Sequence, residues 1–186
     1  MENIIEKIRK FVEDEHKKPT SNYGYEPYEF HLVPMHQYAK QLAEKLGADT
    51  EIVRISAWLH DIGAIIYGRE NHHITGARIA EEKLKEFNYS KEKIEGVKNC
   101  ILTHRGSNGL KPKTLEAQII ADADTMSNFN NIAGIFKAAF IYEHQTQREA
   151  KETTKQKLIN KWKKLSFSES KELIRPKYEA VMLLLK

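Results

Sequence analysis

Apolar positions recur along almost the whole chain at steps of three and four, the spacing that gathers them on one face of an α-helix. Ile4, Ile5, Ile8, Phe11 and Val12 open the pattern, and Lys18-Pro19 closes it before the turn-rich stretch TSNYGYEP. A second stripe of Met35, Ala39, Leu42, Ala43 and Leu46 runs into Gly47, the residue type that most readily stops a helix. Further stripes predict helices over about 50–63, 72–87, 91–105, 114–129, 131–147, 148–165 and 169–185. Ser166 and Glu169 have the spacing of a capping box at the start of the last one. No segment alternates apolar and polar residues as a half-buried strand does, so the expected fold class is all-α, a bundle of about eight or nine helices.

One stretch breaks the pattern from inside. SAWLHDIGAII, residues 56–66, sets His60 and Asp61 into otherwise apolar chain, where an unpaired polar group costs several kcal/mol. Stepping back four from Met35 reaches His31, so that histidine faces the core, whereas His36 lies about 140° further round the helix. His60 continues the Ile52, Ser56 row and Asp61 the adjacent Val53, Ala57 row. His104 follows Ile94, Val97 and Ile101 onto the buried face, and His72 extends the Gly76, Ala80, Leu84 row, with His73 hardly separable from it by periodicity. In QIIADADTMSN, Asp122 aligns with Leu115, Ile119 and Met126, and Asp124 aligns with Ile120 and Ser127; both rows suit burial.

A single inward histidine is usually a hydrogen-bonded core residue. Four of them with at least one acid, drawn from five helices, would each need a separate buried polar arrangement, and a shared metal centre satisfies them together. Imidazole and carboxylate without thiolate suit Mn, Fe, Co, Ni or Zn better than calcium. Six such ligands exceed what one ion with an open position needs and are adequate for two.

Composition narrows the setting. The 186 residues are 40% hydrophobic and 30% charged with nine Gly and five Pro, an ordinary globular balance expected to make one domain over 1–186. Cys100 is the only cysteine, which excludes an intramolecular disulfide and a cysteine-rich zinc site. The start, MENIIEKIRKF, lacks the continuous apolar run of a leader, and no run reaches membrane-spanning length, so a cytoplasmic protein without membrane contact is expected. The net charge of +4 resides in residues 148–164, which carry seven basic and two acidic residues. Such a run is most often a solvated helix face, so nucleic acid is only weakly indicated as a partner.

Together these elements resemble the HD superfamily of metal-dependent phosphohydrolases over about residues 28–131, with 132–186 expected to pack on that core. The parts are His31 with Met35 and Ala39, then WLHDIG, HHITGA, ILTHR and ADADTMS; the stretch from His31 through HDIG is most similar to HD domains of the ribonuclease Y group. The resemblance implies His31, His60, Asp61 and Asp124 as the basic metal set, choosing Asp124 over Asp122, and adds His72 and His104 as in two-metal members. It implies one or two divalent ions, with Mg added to the candidates, and cleavage of a phosphomonoester or phosphodiester, expected to be a nucleotide's, by metal-activated water. Asp61 would be both ligand and positioner of the nucleophile. Many related sequences continue the motif with a phosphate-binding lysine where this chain has Ala64. Arg69, Arg105, Lys111 and Lys113 are then the candidate cations, with Arg105 chosen for its two-pronged guanidinium. The alternative function is a regulatory module that binds a nucleotide or nucleic acid without turnover.

Overall fold

The computed structural model describes residues 3–105 and 110–186. The described residues form α1 (Ile4–Lys17), α2 (Val33–Leu46), α3 (Thr50–Leu59), α4 (Ile62–Tyr67), α5 (His72–Glu86), α6 (Lys91–Thr103), α7 (Leu115–Ser127), α8 (Ile132–Lys137), α9 (Gln147–Lys164) and α10 (Ser168–Leu184). They contain no strand, and the fold is all-α. No helix among them is long and apolar enough to cross a membrane.

The ends follow local chemistry. Asn3, Asp49, Ser90, Thr114 and Thr146 each accept a backbone N–H from the first turn of the following helix. Gly47 closes α2 at φ 74°, a left-handed conformation that costs glycine nothing. The capping box stands at Thr146 and Glu149 on α9, where both reciprocal hydrogen bonds form. The one expected at Ser166 does not form: α10 starts at Ser168, and the backbone N–H groups of Ser166 and Phe167 donate instead to Asp122 on α7. A carboxylate two elements away outcompetes the local cap.

Two apolar cores flank α3. Val53 and Ala57 pack with Met35, Leu42, Ile119, Met126 and Leu158 on one side; Ile55, Trp58 and Leu59 pack with Ile8, Leu32, Leu84 and Ile101 on the other. A helix buried on nearly every side needs apolar residues nearly all round, which TEIVRISAWL provides. Each fully buried Leu or Ile contributes about 1.5–3 kcal/mol, so this central helix is the anchor from which the following residues are held.

The predicted helix over 50–63 is broken. It ends at Leu59, and α4 begins at Ile62, with Asp61 between them at φ −108° and ψ 7°. The reason lies at Gly63, where a Cβ would come within 2.3 Å of the His72 carbonyl oxygen and 2.6 Å of the Gly76 nitrogen. The chain must turn to bring α4 backbone against α5, and only glycine permits that approach. The entry to α2 is also irregular. Residues Tyr28–Leu32 form one wide turn in which the N–H of Val33 donates to Tyr28, because Pro34 has no N–H to offer the Phe30 carbonyl four residues back. His31 sits on that turn.

Candidate metal centre

Five segments deliver six side chains to one place. His31 comes from the wide turn before α2, His60 and Asp61 from the α3–α4 junction, His72 from the first residue of α5, His104 from the end of α6, and Asp124 from α7. They fall into two triads, His31–His60–Asp124 and Asp61–His72–His104, with the ligand atoms of each within 4.8 Å of one another. In the first, His31 Nε2 lies 3.3 Å from His60 Nε2 and 3.4 Å from Asp124 Oδ1. In the second, His72 Nε2 lies 3.3 Å from His104 Nε2 and 3.2 Å from Asp61 Oδ1. Asp61 reaches both: its Oδ2 is 3.2 Å from His60 Nε2, while Oδ1 faces His72 and, at 3.6 Å, His104.

Each imidazole is held by its other nitrogen. Nδ1 of His60 donates to the Ala57 carbonyl at 3.0 Å, Nδ1 of His72 to Arg69 at 2.8 Å, and Nδ1 of His104 to Ile101 at 2.6 Å. Carbonyls only accept, so the hydrogen is on Nδ1 and every Nε2 keeps a lone pair in the neutral ring. His31 is fixed by Ser127, whose Oγ donates to the Asp124 carbonyl at 2.7 Å and is thereby left to accept from His31 Nδ1 at 2.7 Å. Sequence reasoning gave Ser127 no role; its place one turn after Asp124, on the same row, was the available signal.

This donor set fits a cation. The facing Nε2 lone pairs of His72 and His104, 3.3 Å apart, repel, and two carboxylates add negative charge beside them. Nitrogen and oxygen ligands about 2.1 Å from an ion stand roughly 3–3.5 Å apart, close to the separations here. The electrostatics agree. Burial would raise the Asp61 carboxyl, but the charge of His60 and the contacts with His104, His60 and His72 hold it well below the usual range. Burial also raises Asp124, and His31 and Lys161 more than reverse this. His60 is fully buried, which opposes its protonation, yet Asp61 and Asp124 push it up to about 9. A proton on His60 is the positive charge the chain supplies by itself.

The remaining candidates lie elsewhere. Asp122 is committed to the backbone of Ser166 and Phe167. His36 stacks on Trp58 at 4.5 Å and accepts from Arg54, and burial together with that guanidinium lowers it to about 4. His73 contacts His72 edge-on but belongs to neither triad. Part of the loop RGSNGLKPK, residues 106–109, lies outside the described residues.

A cavity of about 370 Å³ opens over the triads. Asp61, Asp124, His31, His72 and His104 form its floor, and Ala64, Ile65, Ile135 and Ala138 supply apolar wall. Arg69 and Arg105 line it, whereas Lys111 and Lys113 are exposed and do not. The basic run of α9 is not wholly a solvated face: Lys157 and Lys161 also line the cavity. Burial depresses the Lys161 ammonium below the ordinary lysine range, against the pull of Asp124.

Comparison with known proteins adds the following. A family model described as the HD domain matches residues 28–128. An uncharacterized protein of Clostridium beijerinckii is 36% identical over 88 residues, covering 46% of this chain and 54% of that protein. Ribonuclease Y of Fervidobacterium nodosum is 35% identical over 99 residues, covering 52% of this chain and 17% of the ribonuclease. The chain thus spans about half the length of one of these relatives and under a fifth of the other. Among solved structures, an HD-superfamily hydrolase of Bacillus thuringiensis has a TM-score of 0.74 at 18% identity, covering 97% of this chain and 92% of that one. Bacillus subtilis YpgQ, solved in complex with ADP, has a TM-score of 0.73 at 20% identity, covering 97% and 89%. At these identities the two structures show the shared fold.

Proposed function

The chain belongs to the HD-domain family, and from that membership we propose that it is a metal-dependent phosphohydrolase cleaving a phosphate ester of a nucleotide. One observation carries the reading: Asp61 turns one carboxylate oxygen to each of two triads whose histidines are already locked with Nε2 inward. A purely binding module has no need of six preoriented ligands, five of which line an open cavity. The complex of the Bacillus subtilis protein with ADP supports a nucleotide as the ligand class.

His31, His60 and Asp124 would hold one divalent ion, and His72, His104 and Asp61 a second, with Asp61 shared. Such ions, when bound, acidify water towards neutral pH and offset charge on phosphoryl oxygens. The chain supplies the rest. Hydrogen bonds from Nδ1 to three carbonyls and Ser127 fix the four rings before substrate arrives, so little reorganisation accompanies reaction. Asp61 positions the attacking water, being the polar group common to both triads. Arg105, beside His104 on the cavity wall, would receive a non-bridging phosphate oxygen through two hydrogen bonds.

The test is hydrolysis of a panel of nucleotide monoesters and diesters with added Mn, Co, Ni, Zn or Mg, comparing the unaltered chain with Asp61→Ala. Several kcal/mol of transition-state stabilisation depend on the centre, so the variant should lose at least about a thousandfold in rate. Its helicity should persist, because the Asp61 side chain caps no helix. An Asp61→Ala protein that retains full activity overturns the proposal.

A further inference from the structure

Four cations, Arg69, Arg105, Lys157 and Lys161, line one cavity and form no ion pair with any described residue. The acids lining the same cavity are Asp61 and Asp124, both in the triads. Four fixed positive charges therefore stand over two negative ones before any ion is counted.

Lys161 is also placed where a lysine is least expected. On α9 the buried residues are Ala150, Thr154 and Leu158, and Leu165 follows at the helix end. At about 100° per residue these four span an arc of roughly 80°, and Lys161 falls inside it. Lys157, one turn earlier, falls just outside the arc and is exposed, but unlike Lys163 it lines the cavity. A half-buried ammonium on the inward arc is costly, and the acid whose charge acts on it here is Asp124, itself in a triad. Both lysines open into the cavity, and Lys161 faces the triad that contains Asp124. Arg105 adjoins His104 of the other triad.

We infer that Lys157 and Lys161 hold a phosphate group of the substrate other than the one being cleaved, so that the site takes an anion carrying a chain of two or more phosphates. The inference rests on the phosphohydrolase reading for which phosphate is attacked, but not for the binding itself. A single phosphate held at the metal centre leaves the α9 lysines unpaired; a longer chain reaches them. The shared chemistry is a linear phosphate chain, whether free or borne by a nucleoside.

The experiment measures binding without turnover. Calorimetry on the Zn-loaded full chain at low ionic strength compares imidotriphosphate, a triphosphate whose P–N–P links resist hydrolysis, with orthophosphate, for the unaltered protein, Lys157→Gln, Lys161→Gln, the double variant and Lys163→Gln. Lys163 carries the same charge on the exposed side of α9. Each cavity lysine should account for about tenfold in triphosphate affinity, and the pair for about a hundredfold. Orthophosphate affinity should change less than about threefold, Lys163→Gln should leave both anions unchanged, and Lys161→Arg should keep triphosphate binding. Equal losses for the two anions, or a loss in Lys163→Gln matching that of Lys161→Gln, would overturn the inference. A second arm, nucleoside mono- and triphosphates in the presence of the unaltered chain, tells whether a nucleoside adds to the phosphate chain. If no substrate is hydrolysed with any metal while triphosphate binding still depends on the α9 pair, the phosphohydrolase reading fails and this one stands.

Discussion

The floor and the wall of the cavity are built on opposite rules. On the floor, every histidine Nδ1 has a protein partner, and the four Nε2 atoms and two carboxylates converge on one another. On the wall, four cations have no ionic partner among the described residues. A satisfied outer nitrogen means an inner one already aimed, and four cations lining one cavity place positive charge where an anion enters. The floor is prepared for cations and the wall for anions, which is the division a metal-dependent enzyme for phosphate esters requires.

The charge of the floor, unlike that of the wall, changes with pH near 9. In the metal-free chain His60 is pushed up to about 9 by Asp61 and Asp124, so its protonated form stabilises the fold. That contribution is fully present below about pH 6.5 and lost as pH rises through about 9. Denaturant titrations of chelated protein between pH 6 and 10 should show this decline, and saturation with Zn or Mn should abolish it by replacing the proton. A metal-free protein whose stability is flat over that range would mean that the floor is not charged as described.

Ser127→Ala removes the acceptor of His31 Nδ1–H and touches the floor without removing a ligand. Outer partners of this kind contribute tenfold to a hundredfold in metal affinity, so a competition titration should show a loss of that order. Unchanged affinity would show that the His31 ring is fixed by packing alone. The smallest effect belongs to the wall and has the opposite sign. Lys161→Met replaces an unpaired, partly buried charge by an apolar chain of similar length, and should stabilise the protein by about 1 kcal/mol in urea unfolding. Destabilisation would mean that Lys161 is held by contacts within the chain rather than kept for a ligand.

The two regions were also unequally legible in the sequence. The floor lies on helices whose apolar stripes are regular, so extending each stripe points His31, His60, His72 and His104 inward and turns His36 away. Periodicity could not separate Asp122 from Asp124, since both rows of α7 are inward. What separates them is the turn between α9 and α10, whose N–H groups meet Asp122 at long range. Nor could it show the break after Leu59, because WLHDIGAII carries no proline and its one glycine acts through contact with α5, not through local conformation. On the wall the strong charge of 148–164 masked position. Ala150, Thr154, Leu158 and Leu165 mark an inward arc that contains Lys161, and reading the run residue by residue would have found it.

If Asp61 joins two metal sites, the metal content of the purified chain shows it. Elemental analysis after equilibration with Mn or Zn should give two ions per chain for the unaltered protein. His72→Ala combined with His104→Ala should give one, and Asp61→Ala should lower the occupancy of both sites. A single ion per chain that is indifferent to His72 and His104, or none at all, would contradict it.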